Sequence, residues 1–248
     1  MLTRRYSYSD DEQWAPVSDL MAVVMLIFML VAMILFVNFD LEQRSNEEQC
    51  KETKNMLDSE FRDDFLDWGA ILERDLTIRF TNKRVLFTAA SSDVERSGVK
   101  GGGWFALMLQ DFFPRYMSVI KEIRNQFGEE EILAMRIEGH TSSEYETPGE
   151  DHPFIRNMEL SQARARKILQ YVTNPEKVPQ ANRYYKKVYG LIEANGLSSK
   201  QLICDLDGRE DKHASRRVEF KLLTNSCQKA GKYDDNQGLV NPCMEEVF

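Results

Sequence analysis

Asp19 stands directly before the most apolar stretch of the chain, the eighteen uncharged residues Leu20–Val37. A charged side chain inside a bilayer costs about 2.5–3.5 kcal/mol at the centre and less toward the edge, and such groups face a protein partner or an ion path. Burial raises a carboxylate's pKa, so a group in that place can take up and release a proton near neutral pH. The alternative is structural, with Ser18-Asp19 capping a helix by accepting from its open backbone N–H groups. Pro16 favours the first role, because proline belongs in the opening turn of a helix and sets Asp19 inside it. One acid on one helix makes no pathway alone, so the other wall has to come from a partner.

Other residue types argue mainly by exclusion. His140, His152 and His213 are scattered and no Cys-x-x-Cys occurs, so no metal-ligand spacing is present. Gly101-Gly102-Gly103 lacks the Lys-Ser/Thr of a phosphate loop and reads as a turn. No Ser/His/Asp set or productively spaced carboxylate pair stands out, and the expectation is a non-enzyme without a cofactor. Cys227 and Cys243 bracket a polar C-terminal stretch, where a bridge would tie it down in an oxidising compartment such as the periplasm. Cys50, thirteen residues past Val37, is placed to pair with its twin in a homodimer. Cys204 falls in a predicted strand and reads as a buried thiol. With 32 Lys+Arg against 40 Asp+Glu among 248 residues, the chain lacks the basic footprint of a direct nucleic-acid binder.

The elements that must position these residues follow from patterning. Eighteen helical residues span roughly 27 Å, close to the hydrocarbon thickness of a bilayer, and Trp14 would sit at headgroup depth. Asp10-Asp11-Glu12 before the run and Asn38-Phe39-Asp40 after it lack the basic start and small-residue site of a cleaved signal peptide. The chain therefore divides into a cytoplasmic tail (1–13), a transmembrane helix (14–39), a juxtamembrane linker with an amphipathic helix (40–75), a globular domain (76–224) and a tail (225–248). Arg4 and Arg5 balance Arg44 and Lys51 across the span. The usual outcome for one early anchor then sets the orientation: N-terminus inside, large domain outside.

Leu57, Phe61, Phe65, Trp68, Leu72 and Leu76 recur at three- and four-residue steps, the stripe of a helix packing on the domain. Strands are expected at 77–80, 85–87, 132–137, 202–206 and 217–222, and helices at 104–127, 160–171 and 183–193. A long polar loop runs from 141 to 156. Strands alternating with helices indicate an α+β domain with a mixed sheet.

Three ordered runs resemble the OmpA/MotB-type peptidoglycan-binding domain. They are Ile137-Glu138-Gly139-His140-Thr141, then Asn157 through Leu160-Ser161-Gln162-Ala163-Arg164-Ala165, then Ser215-Arg216-Arg217-Val218-Glu219-Phe220. Val85-Leu86-Phe87 resembles the opening strand of that family. The resemblance implies that Arg164 clamps a carboxylate of the wall's stem peptide. Thr141, Ser142, Asn157 and Leu160 would line the pocket, and Arg217 matches the family's last arginine. Two positions depart from it: Ser142 replaces an aspartate that meets the ligand's amine, and Ser215 replaces an asparagine. Glu144 or Asp151 are the available substitutes for the missing charge.

Pro16-Val17-Ser18-Asp19-Leu20-Met21 is similar to the ion-carrying helix of MotB-like stator subunits, closest to those of the Zorya anti-phage systems. This implies a homodimer inside a MotA-like (ZorA-type) pentamer in the bacterial inner membrane, with Asp19 passing H+ or Na+ and the domain holding peptidoglycan. A flagellar stator subunit and a passive membrane-to-wall tether are the alternatives. Residues 41–54 are also the place where a plug would lie.

Overall fold

The computed structural model describes residues 14–81, 87, 91–95, 103–144, 153–179, 188–231 and 243. Two compact units divide the chain, Met1–Ser45 and Asn46–Phe248. Helix α1 runs from Trp14 to Trp68. Ser18 and Asp19 lie inside this helix rather than at its N-cap. Leu20–Val37 are exposed throughout, the condition of a helix long and apolar enough to cross a membrane.

The second unit holds the rest of α1 and a five-stranded sheet. In chain order its elements are β1 (Ala70–Leu72), β2 (Thr77–Phe80), α2 (Trp104–Phe127), β3 (Ile132–Gly139), α3 (Pro153–Val172), β4 (Ile192–Gly196), α4 (Lys212–Ser215), β5 (Val218–Thr224) and α5 (Asn225–Lys229). The strand order is β1-β2-β5-β3-β4, with β3 and β4 parallel and the other neighbours antiparallel. This is the α+β domain with a mixed sheet expected from the patterning.

Alternation along the strands gives the sheet two faces. Ile78, Phe80, Met135, Ile137, Phe220 and Leu222 are buried in an aromatic core. Phe112 of α2 sits at its centre, with ring centroids 5.0 Å from Phe220, 5.1 Å from Phe61 and 5.6 Å from Phe80. Leu57, Phe61, Phe65 and Trp68 of α1 belong to this core, so helix residues 46–68 fold with the domain that the sequence alone begins at 76. Arg115 of α2 fastens the two helices by pairing with Glu60 at 2.7 Å and Asp64 at 2.8 Å.

Several local expectations are corrected. The helix expected at 183–193 gives way to a 3-10 turn at Tyr189–Leu191 and then to β4, while 183–187 lie outside the described residues. Residues 202–206 form no strand; Cys204 makes one isolated bridge with Glu210. Phe87 is buried but not in a strand, and Val85 and Leu86 lie outside the described residues, as do Gly101, Gly102, Asp151 and His152.

The cysteine pairing is corrected as well. Cys227 bonds to Cys50, not to Cys243, and Cys243 bonds to Cys204. The reason lies in the burial: Cys50 on α1 and Cys227 on α5 both point into the core, with Cα atoms 4.8 Å apart. Residues 225–229 are a helix, with Ser226 and Cys227 buried, rather than the start of a loose tail. Neither Cys50 nor Cys204 is left as a thiol.

Candidate functional site

The site is built where α3 closes on the ends of the two parallel strands. Gly139 and Gly196 permit that approach: a Cβ on Gly139 would lie 2.1 Å from the carbonyl oxygen of Ser161, and one on Gly196 2.4 Å from the backbone nitrogen of Gln162. Side chains of α3 then take over backbone groups of β4 and the turn after it. The Gln162 amide donates to the carbonyl of Ala194 at 2.7 Å and its oxygen accepts from the Gly196 N–H at 2.7 Å. The hydroxyl of Ser161 accepts from the Ser198 N–H at 2.9 Å. The Thr141 N–H donates to the carbonyl of Ser198 at 3.0 Å, anchoring the strand exit that carries His140, Thr141 and Ser142.

Asn157, Leu160 and Arg164 recur at three- and four-residue steps, so they share one face of α3. Asn157 is buried and Leu160 half-buried. Arg164 is fully buried; its Nη1 donates to the carbonyl of His140 at 2.8 Å and its Nε to that of Ser91 at 2.9 Å. The guanidinium also lies 5.0 Å over the ring of Phe87. Burial, and after it the charge of Arg216, pushes Arg164 down to about 9. An anion brought to this cation would relieve that penalty.

Arg217 does not join this group. Its Nε donates to Glu219 at 2.6 Å and its Nη1 to the carbonyl of Gln201 at 3.1 Å. Glu219 also accepts from Arg79 at 2.7 Å and lies 3.4 Å from the His140 imidazole. Burial alone would raise the Glu219 carboxyl, but His140, Arg217 and Arg79 together hold it well below the usual carboxylate range. Burial, aided by the charge of Arg217, holds His140 below its ordinary value. Glu138, opposite Glu219 across the β3–β5 ladder, is pushed up by burial. Among the described residues Glu138, His140 and Glu219 have the ligand atoms of a metal site within 4.8 Å of one another. Two guanidinium groups already bind Glu219, however, and oppose a metal ion's charge.

The two departures from the motif have separate accounts. Ser215 is buried and its hydroxyl accepts from the Ile203 N–H at 3.0 Å, bracing the segment before α4. Ser142 is buried and its hydroxyl donates to Glu144 at 3.3 Å. Glu144 also takes Arg216 at 2.7 Å and Lys212 at 3.0 Å. Sequence reasoning selected Arg217 and passed over Arg216; the alternation of neighbouring side chains entering β5 sends one inward and the other toward the loop. Asp19 belongs to the other unit and is exposed on α1, with no hydrogen bond or ion pair to it among the described residues.

No protein-family model matches the sequence. The chain is 35% identical over 230 residues to the Zorya protein ZorB of Escherichia coli, a match covering 88% of this chain and 90% of the relative. Among solved structures it is similar to a putative MotB-like protein from Desulfovibrio vulgaris, with 22% identity over 74% of this chain and 99% of that one at a TM-score of 0.44. The cell wall anchor of the T6SS from Pseudomonas aeruginosa matches with 17% identity over 68% of this chain and 97% of that one at a TM-score of 0.41.

Proposed function

Because this chain belongs to the family of the Zorya protein ZorB, we propose that it is the MotB-like stator subunit of an ion-driven rotary motor serving anti-phage defence. The observation that carries this reading is the extent of that relationship, nearly end to end in both chains.

In this reading α1 crosses the inner membrane once, with its N-terminus in the cytoplasm and the unit from Asn46 onward in the periplasm. The two disulfides support that orientation, since structural disulfides persist in the periplasm and not in the cytosol. Two copies lie within a pentamer of MotA-like subunits, whose walls complete the ion path at Asp19. Each H+ or Na+ that binds Asp19 and leaves on the other side delivers about 2.3 kcal/mol per 100 mV of membrane potential, enough to drive a step of the surrounding ring. Meanwhile Arg164, with Thr141, Asn157 and Leu160, binds a stem-peptide carboxylate of peptidoglycan and holds the dimer against that torque. The subunit performs no covalent chemistry.

The test is phage plating on cells carrying the native operon, comparing wild type with Asp19→Asn at matched protein levels. Loss of protection in the variant is expected. Protection retained would leave a passive membrane-to-wall tether. No protection from wild type across a broad phage panel would return the flagellar reading.

A further inference from the structure

Arg216 is nearly buried, and its polar atoms are unevenly used. Its Nη1 donates to Glu144 at 2.7 Å and its Nη2 meets the His213 Nδ1 at 2.8 Å, while its Nε is buried without a hydrogen-bond partner among the described residues. Thr141 Oγ1, on the strand exit held by Arg164, is likewise buried without a partner among them. A buried polar group left unpaired costs about 1–3 kcal/mol, and these two, one of them on the Arg216 guanidinium itself, describe a place built to receive something.

What it receives is set by charge. One strand exit links the two guanidinium groups: Arg164 holds the His140 carbonyl, and two residues on, Ser142 bonds Glu144, the partner of Arg216. Glu144 is the carboxylate bound to Arg216, its side chain 41% exposed and also gripped by Lys212. The Lys212 hydrogen bond, chief among several causes that outweigh a modest desolvation penalty, holds the Glu144 carboxyl below its ordinary value, so it is ionised at neutral pH.

We propose that Arg216 is a second ligand-binding arm beside Arg164, taking a carboxylate of the bound peptide together with Thr141, and that Glu144 stands in for that carboxylate until the ligand displaces it. This rests on the wall-binding reading above. Arg217, committed to Glu219, is not available for the role. A guanidinium fork grips a carboxylate through paired, charge-assisted hydrogen bonds, and the Thr141 hydroxyl adds a third donor. An internal competitor lowers apparent affinity by the fraction of molecules in which it is seated.

The experiment is retention of the full-length, detergent-solubilised chain on purified sacculi, titrated for wild type, Arg164→Ala, Arg216→Gln, Arg216→Lys and Glu144→Gln. Arg216→Gln is expected to weaken retention about tenfold, the loss of a charge-assisted fork. Arg216→Lys, which keeps the charge but not the fork, should fall between. Glu144→Gln is expected to strengthen retention about two- to fivefold, because removing an exposed ion pair of modest strength frees the arm. Closure of the Cys50–Cys227 bond on a non-reducing gel checks folding, and Glu144→Gln carries the test should Arg216→Gln fail to fold. Wild-type retention in Arg216→Gln overturns the proposal, as does weaker retention in Glu144→Gln. If Arg164→Ala loses retention while both other positions behave as wild type, the second arm alone is wrong. If wild type itself is not retained, the wall-binding reading falls and this arm with it.

Discussion

Asp19 and Arg164 are both ionisable groups set where charge is expensive, and the chain treats them in opposite ways. Arg164 is enclosed by its own fold, which supplies two carbonyl acceptors and an aromatic face. Asp19 stands exposed on an apolar helix, and no described residue of the same chain meets it. In the proposed reading the first belongs to a recognition site that folding completes, and the second to an ion path that only assembly with other subunits would complete.

That contrast breaks most sharply if either site responds to the other's mutation. Asp19→Asn is expected to reduce plating protection to the empty-vector level while leaving retention on sacculi unchanged, and Arg164→Ala to abolish retention. Loss of retention in Asp19→Asn would show that the membrane acid also supports the globular unit.

The internal ion network should dominate the stability of that unit. Glu219→Gln leaves Arg79 and Arg217 without their shared carboxylate, and breaking a buried pair costs about 3–5 kcal/mol. Urea unfolding of the full-length protein in detergent reads this, and a loss under about 1 kcal/mol would mean the guanidinium groups are satisfied by water. Opening the Cys50–Cys227 bond, by reduction or by Cys50→Ser, is expected to cost about 2–4 kcal/mol, since that bond closes a long loop in the unfolded chain. An unchanged thermal midpoint on reduction would contradict it.

Acid should act through the same network, with a smaller effect. His140 is held below its ordinary 6.5 and Glu219 well below its ordinary 4.5, so the unfolded chain binds more protons than the folded one as pH falls through each value. Stability present at neutral pH is therefore lost first as pH drops below 6.5 and again below 4.5. Glu138, displaced upward by burial, takes up its proton in the folded state above 4.5 and so offsets part of the first loss. In His140→Gln the decline in urea midpoint across the upper window should disappear; a persisting decline there would assign it to another group.

Legibility from sequence followed the range of the interaction. The stripe was readable from Leu57 to Trp68 because helical spacing is local, though its last members, Leu72 and Leu76, lie past the helix end, Leu72 in β1; Pro16 was enough to set Asp19 inside its helix. The ordered motifs brought Thr141, Ser142 and Arg164 together, because each lies at the end of a strand or on one face of α3. The cysteine pairing was not readable: Cys50 and Cys227 are 177 residues apart, and only the packed core brings them together. β4 was hidden because Ile192–Gly196 is short, half-buried and preceded by a 3-10 turn, which blurs any alternation. The different partners of Arg216 and Arg217, Glu144 for one and Glu219 for the other, depend on a register that two adjacent identical residues cannot announce.

The Cys50–Cys227 bond has a mechanical consequence. It joins a point on α1 to the helix that follows β5, so the chain from Cys50 to Cys227 forms a covalently closed ring. Tension arriving along α1 and resisted at α3 divides at Cys50, one share running through the chain and the other crossing the sulfur–sulfur bond to the helix after β5. Load can therefore pull α1 away from that helix only once a reductant has cut the link.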